Sequence, residues 1–467
     1  MLPTLLRKIA SLYLFYCLSI VAALHRDRSF VLGCLICFPL QLLLLLLGRA
    51  VDASPRLDYS YTSNPAANVM GGIKSWATYV DNHLFGYELP LNGFLGNQKS
   101  SLGVSFLARS GQSLSATAIG NQFTVQQVYG GQSFIYYALN AKLELDDMGS
   151  SIRFGRMAAG DIFATDPIYW LYMNNAIDGN PQSIVVNSGF SAYPAAKWGA
   201  AVTAHLGNGF SAKLGGYQIA DIDVTQTHGF DWSISPDDGL FLIAQLDLKR
   251  SSDLRHDDIS IVCSADKNST DIHGKSLASD PSGNPESTPP LIEAPRGREK
   301  QLSTTAFLGG FLSLRPQEGF GNIPGRNSVA GLYAHVDRQL SSESCDPTQG
   351  LTAWSSVAIT PQPSVAKIPL QVNGGIVYTG LIPSRDKDLS MVGLFSGNFS
   401  RDYLATLPSS RLNSGSIPGS EVVVEIGHRI YASESLYLQP NVQLVVNPGG
   451  LSDPPALVAG AQIGLRF

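Results

Sequence analysis

Hydrophobic and polar residues alternate at every second position in many segments of this chain. Residues 197–206, 239–249, 421–431 and 435–446 show the alternation most clearly. In 239–249, leucines fill most of the even positions, opposite a set that ends in Gln, Asp and Lys. Because successive side chains of a β-strand point to opposite faces, this period of two predicts strands rather than helices.

The predicted strands are long. Weaker alternation, together with the C-terminal segment, brings the number of candidate strands to about 15. The weaker segments are 78–88, 102–110, 134–145, 151–158, 210–217, 304–315, 330–340, 350–360, 367–381 and 388–399. A tilted strand needs about 9 to 11 residues to cross a bilayer, whereas strands of soluble proteins are usually about five or six residues long. The expected fold is therefore all-β, a transmembrane antiparallel β-barrel. Since bacterial single-chain barrels have even strand numbers, we expect about 16 strands around an aqueous lumen.

The last predicted strand ends on an aromatic residue. Apolar residues occupy every second position from Leu457 to the terminal Phe467, and Gln462 and Arg466 lie on the other face. This strand resembles the signal that the bacterial outer-membrane assembly machinery reads. A closing strand of a soluble β-sandwich is the alternative, but the length of the other strands favours the barrel.

The N-terminal region has the pattern of an export signal. Two apolar runs, 9–24 and 30–47, follow basic residues, and Val51 and Ala53 precede Ser54 at the positions that a signal peptidase favours. We expect residues 1–53 to be a signal/export segment and 54–467 to form the outer-membrane barrel. Two retained transmembrane helices are the alternative, because the second run is marginally long enough to span a bilayer.

Composition excludes some partners. The chain has 46 Gly and only 15% charged residues, and its formal net charge of -5 leaves no basic surplus for a nucleic acid. Beyond the export segment only Cys263 and Cys345 remain, which leaves open a single bridge or two free thiols and offers no metal motif.

One segment interrupts the strand pattern. Residues 250–302 are rich in Ser, Asp, Pro and charge, so they are unable to bury a core and predict a polar, mobile loop insert. Long barrel loops face outwards, which places this insert on the extracellular side. A linker between two soluble domains is the alternative, but similar strands flank it on both sides.

The sequence offers no recognisable catalytic motif. The His residues are dispersed, with no zinc spacing and no HExxH pattern, and no Gly-x-Ser-x-Gly elbow occurs. We therefore expect no enzyme activity, no cofactor and no metal. A barrel enzyme remains an alternative, since catalytic Ser and His need only be near in space.

The densest polar cluster lies between Arg153 and Trp198. It contains too many Gly, Pro and Asn residues for one strand, so it looks like a strand that leads into a structured loop folded into the lumen. The candidate constriction and substrate residues are Arg153, Arg156, Asp161, Asn174, Asn175, Asn180 and Tyr193. Trp198 has the parity of a lipid-facing residue.

An ordered series of short blocks carries a family resemblance. They are 120–131, 153–161, 174–181, Tyr193-Pro194, Trp198-Gly199, Asn447-Pro448-Gly449-Gly450 and the terminal strand. Together they resemble the OprB family of carbohydrate-selective porins, from which the N-terminus and the polar insert depart. The resemblance implies a 16-stranded barrel whose constriction holds charged and aromatic side chains that contact sugar. Such a sugar filter needs planar donors, acceptors, amides and an aromatic face, in contacts weak enough to release the solute.

The expected function is passive diffusion of small carbohydrates across the bacterial outer membrane. The expected partners are the solutes, outer-membrane lipid and the assembly machinery, with a homotrimer as one option. A porin for ions or organic acids is the first alternative, and the number of lumenal Arg and Lys residues discriminates it. A non-conducting surface barrel or a barrel enzyme is the second.

Overall fold

The structure is a computed structural model that describes residues 55–91, 99–128, 133–221, 223–250, 302–343, 346, 348–407 and 419–467. The expected export segment 1–53, nearly all of the polar insert 250–302, Cys263 and Cys345 lie outside the described residues.

The described strands form one closed antiparallel sheet. They are β1 (Arg56–Ser63), β2 (Ala66–Met70), β3 (Trp76–Thr78), β4 (Val80–Pro90), β5 (Ser100–Gly111), β6 (Ser133–Glu144), β7 (Ser151–Met157), β8 (Lys197–Gly207), β9 (Phe210–Ile219), β10 (Gly239–Arg250), β11 (Thr304–Leu314), β12 (Val329–Gln339), β13 (Gly350–Ile359), β14 (Leu370–Thr379), β15 (Leu389–Asn398), β16 (Ser420–Tyr431), β17 (Leu436–Val446) and β18 (Ala456–Arg466).

Two barrel strands are interrupted. Segments β1 and β2 pair in turn with β18, and β3 and β4 follow one another at the next position. The sheet is therefore a closed 16-stranded barrel, which confirms the predicted fold class.

The first barrel strand was not among the predicted strands. It breaks at Asn64 and Pro65 between β1 and β2, and proline has no backbone N–H to donate to a ladder. The remaining candidate strands match observed ones to within a few residues.

Alternation along the strands separates a lipid-facing from a lumenal surface. On β10, Leu240, Leu242 and Leu246 are exposed outwards, while Phe241 and Gln245 are buried inside. An apolar outer band with a more polar interior is what a barrel in a bilayer requires. No helix within the described ranges is both long and apolar enough to span a membrane.

The two ends of the barrel differ. The connections 145–150, 208–209 and 432–435 are short and lie at the end that holds Phe467, while 158–196 and 315–328 lie at the other end. Because short turns face the periplasm and long loops face outwards, the end with Phe467 is periplasmic.

This orientation corrects one expectation. Arg250 pairs with Thr304 at the short-turn end, and the backbone N–H of Lys249 donates to Gly209 in the turn beside it at 2.8 Å. The two flanks of the polar insert are thus periplasmic, and its predicted extracellular placement is wrong. Composition indicates that a segment is a loop, but strand direction decides at which end it emerges.

The hydrophobic core lies inside the barrel. The connection 158–196 folds back into the lumen and packs aromatic side chains against the inner wall. Tyr172 meets Phe395 edge-on at 5.4 Å between ring centroids, and Phe190 meets Phe241 in the same way at 5.7 Å. This connection, the lumenal loop, therefore fills part of the lumen and narrows it, as the sequence predicts.

Candidate pore constriction

Buried amides fix the internal shape of the lumenal loop. The Nδ2 atom of Asn180 donates to the carbonyls of Gly160, Phe163 and Ala164 at 3.1–3.2 Å. One side-chain amide thus holds together the backbone of residues 160–164. The turn is stabilised because its buried carbonyls have a hydrogen-bond donor.

Two buried glutamates of β16 hold inserted segments against the wall. Glu425 accepts from the backbone N–H groups of Met173 and Asn174 at 2.7 and 3.0 Å, and from Asn441 at 2.6 Å. Glu421 accepts likewise from the backbone of 122–123 and from Gly449. Each carboxylate satisfies several buried N–H donors at once, so the two glutamates anchor the inserted segments to the wall.

Between the lumenal loop and strands β7–β9 lies a cavity of about 260 Å³. Arg153 of β7, Asp161 of the loop and Lys213 of β9 bring charge to its lining. Lys213 donates from Nζ to the carbonyl of Ile162 at 3.2 Å and to Asp247 at 3.1 Å. A guanidinium donor and a carboxylate acceptor therefore face one space.

Aromatic residues lie next to this lining, and one of them, Tyr137, is buried against it. The hydroxyl of Tyr137 donates to Asp161, with both carboxylate oxygens at 2.8 Å, and its ring meets that of Tyr193 edge-on at 4.9 Å. The Arg109 guanidinium lies 4.9 Å from the Tyr193 ring, within cation–π range. Asn82 accepts from the Tyr193 hydroxyl at 2.9 Å and from Nε of Arg109 at 3.0 Å.

We call Arg109, Tyr137, Arg153, Asp161 and Tyr193 the constriction cluster. It combines planar donors, an acceptor and aromatic rings, the side-chain types that hold a polyhydroxylated ring. Most of its polar groups are already hydrogen-bonded within the wall, so they are preorganised.

The structure brings together three of the seven residues predicted for the constriction: Arg153, Asp161 and Tyr193. Asn174 and Asn180 are buried, with their amides bonded inside the protein. Asn175 is half-buried and its backbone N–H donates to Thr124 at 2.8 Å. The amides of both buried asparagines therefore hold the lumenal loop in place.

Arg156 is on the wrong face for the predicted role. It pairs across β7 and β8 with Trp198, on the outer side of the barrel, and its guanidinium contacts the carbonyl of Asp231. An odd separation of three residues places Arg153 and Arg156 on opposite faces of the strand. Trp198 lies on the outer side, where its parity placed it, and donates to Trp232 at 3.1 Å.

Sequence reasoning missed Arg109, Tyr137 and Lys213. Arg109 lies near the end of a predicted strand, on its lumenal parity, so a survey of lumenal arginines would have found it. Tyr137 lies where the register between β5 and β6 shifts near Ser105, so simple alternation does not assign its face.

A family model described as "Carbohydrate-selective porin, OprB family" matches residues 74–467. The chain belongs to the OprB family. Porin B of Pseudomonas aeruginosa is 22% identical over 439 residues, which cover 87% of this chain and 86% of that protein.

Solved structures show the same fold. The high-pH structure of Pseudomonas putida OprB aligns with a TM-score of 0.71 and 19% identity, covering 88% of this chain and 94% of that chain. The low-pH structure aligns with a TM-score of 0.50 and 15% identity, covering 88% and 92% of the two chains.

The family membership establishes the function in outline. This OprB-family protein is a bacterial outer-membrane porin for carbohydrates, a channel and not an enzyme. The expectations from the sequence on family, localisation and overall function are thereby confirmed.

Proposed function

We propose that the constriction cluster is the selective part of the pore and favours neutral, sugar-sized solutes that diffuse passively. The observation that carries this proposal is that Arg153 and Asp161 line one cavity of about 260 Å³. A sugar hydroxyl both donates and accepts, so it can pair with either group, whereas an ion pairs with one and is repelled by the other.

The charges of the lumen support neutral selectivity. Lys213 pairs with Asp247, and Lys142 with Glu144, each at 3.1 Å. Arg153 and Asp161 line the same cavity. Since these three lumenal cations have acidic neighbours, the cavity that Arg153 and Asp161 line lacks the single-sign field that would concentrate anions or cations. This balance counts against the porin for ions or organic acids.

At the extracellular mouth, too, a basic side chain is paired with an acidic one. Arg315 and Asp221 form a two-point ion pair, and the hydrogen bond from Arg315 lowers the pKa of the Asp221 carboxyl. Asp221 therefore stays ionised and paired at neutral pH, so the pair adds no net charge to the entrance.

We propose three further partners for this porin: outer-membrane lipid, the assembly machinery and two further copies of this chain. The exposed outer leucines fit outer-membrane lipid, and the terminal Phe467 fits the assembly machinery. For a homotrimer, the exposed Phe230 and Trp232 on the outer side of β6 offer a contact surface. Native mass spectrometry of the detergent-solubilised protein tests the stoichiometry.

Liposome swelling tests the selectivity. Liposomes containing the folded protein should admit glucose faster than a disaccharide and faster than gluconate, a charged solute of similar size. In Arg153→Ala, Asp161 loses its positive neighbour, so we expect cation over anion permeability to rise about two- to fivefold, as roughly 0.4–1 kcal/mol at a partly exposed charge would produce.

Arg338→Ala is the matched control, because Arg338 is exposed and has the outer parity of β12. Its permeabilities should equal those of the wild type. Gluconate entering as fast as glucose would contradict neutral selectivity, and an unchanged ion preference in Arg153→Ala would remove Arg153 from the filter.

A further inference from the structure

Three possible metal ligands meet where the lumenal loop touches the wall. Asp166 belongs to the loop, and His335 and Asp337 lie two residues apart on the inner face of β12. One donor atom from each residue lies within 4.8 Å of the other two. The cluster is separate from the constriction cluster and from the glutamate anchors.

The distances suit a metal ion better than hydrogen bonds alone. Nε2 of His335 lies 3.2 Å from Oδ2 of Asp337 and 3.7 Å from Oδ2 of Asp166. The second distance is too long for a hydrogen bond. Ligand atoms at about 2.0–2.2 Å from a tetrahedral Zn²⁺ are roughly 3.4 Å apart, a value that the two distances bracket.

The charges also point to a cation. His335 is 3% exposed and Asp166 is 7% exposed, so two carboxylates approach one imidazole in a largely buried place. Buried charges are costly unless they are paired or bind a metal. Lys249 acts electrostatically on Asp166 but is itself exposed to solvent. A divalent ion would neutralise both carboxylates.

The imidazole is held in the orientation that a ligand needs. Its Nδ1 atom is 2.9 Å from the Tyr169 hydroxyl, and its ring stacks on Phe307 at 5.0 Å between centroids. These contacts direct Nε2 towards the carboxylates. In metal sites the second ring nitrogen of a ligating His is typically held by such a partner, which fixes the tautomer.

We propose that Asp166, His335 and Asp337 bind a divalent transition-metal ion, with Zn²⁺ as the test ion. One imidazole and two carboxylates form a mixed nitrogen and oxygen donor set, which suits Zn²⁺ better than Ca²⁺. Bound metal joins the lumenal loop to β12 and thereby fixes one side of the constriction.

Equilibrium dialysis of the folded, EDTA-treated barrel against Zn²⁺ in detergent tests the site. We expect one Zn²⁺ per chain, a melting temperature that rises with Zn²⁺, and weaker binding of Ca²⁺. His335→Gln and Asp337→Asn should each weaken Zn²⁺ binding at least about tenfold and abolish the visible absorption bands of bound Co²⁺.

His205→Gln is the matched control, because His205 is exposed in a different part of the barrel. It should bind Zn²⁺ like the wild type. Heat-modifiable migration on gels identifies variants that have folded. If His335→Gln does not fold, Zn²⁺ binding by Asp337→Asn tests the proposal. Absence of Zn²⁺ binding by the wild type, or undiminished binding by a folded ligand variant, overturns the proposal.

Discussion

Replacing Glu425 with alanine is expected to destabilise the barrel and to increase its single-channel conductance. The variant leaves two backbone N–H groups of the lumenal loop, those of Met173 and Asn174, and the Asn441 amide without their acceptor. A buried donor without a partner costs about 1–3 kcal/mol, so for three such donors we expect a loss of at least about 3 kcal/mol. Thermal unfolding and planar-bilayer recordings measure the two effects.

The conductance effect follows from where these N–H groups lie. They belong to the lumenal loop, which occupies the lumen, and a released loop would widen the pore or make the current noisy. Glu434→Ala is the control, since Glu434 lies in an exposed periplasmic turn and pairs only with Lys387 at 3.3 Å among the ion pairs of the described residues. Unchanged stability and conductance in Glu425→Ala would show that the carboxylate is not an anchor.

Deleting Phe467 is expected to reduce the amount of assembled barrel in the outer membrane by about tenfold or more. The residue exchanges backbone hydrogen bonds with Tyr59, at 2.9 and 3.1 Å, and its ring stacks on the Tyr59 ring at 6.3 Å. These contacts join the last strand to the first. Losing about 0.5–1.5 kcal/mol per hydrogen bond, in addition to the ring contact, suffices for a tenfold change.

Two variants separate closure of the barrel from recognition by the assembly machinery. Phe467→Trp retains the backbone bonds and an aromatic ring, so it should assemble almost normally. If the deletion variant refolds in detergent but fails in cells, recognition of the terminus is the main role. If it fails in both, closure is the cause, and normal levels in cells would contradict both roles.

The polar cluster between Arg153 and Trp198 shows which structural features the sequence does not predict. Its residues are too polar for one strand, and this indicated a structured lumenal loop. The sequence did not decide the contacts that each residue makes: Asp161 lines the cavity beside Arg153, whereas Asn180 bonds to carbonyls of its own loop. An amide that organises a loop and an amide that contacts sugar have the same local pattern.

The sequence by itself determined all barrel strands but the first, the two faces of most of them, the barrel and its family, because a period of two is a local property of the chain. It placed Trp198 on the lipid-facing side for this reason. Only the tertiary structure decided which distant residues meet: Glu425 with the backbone at Met173, and Arg109 with Tyr193. It also decided that the chain leaves β10 at the periplasmic end. These pairings depend on strand order, register and the path of the lumenal loop, which connect residues far apart in the chain and leave no periodic trace in the sequence.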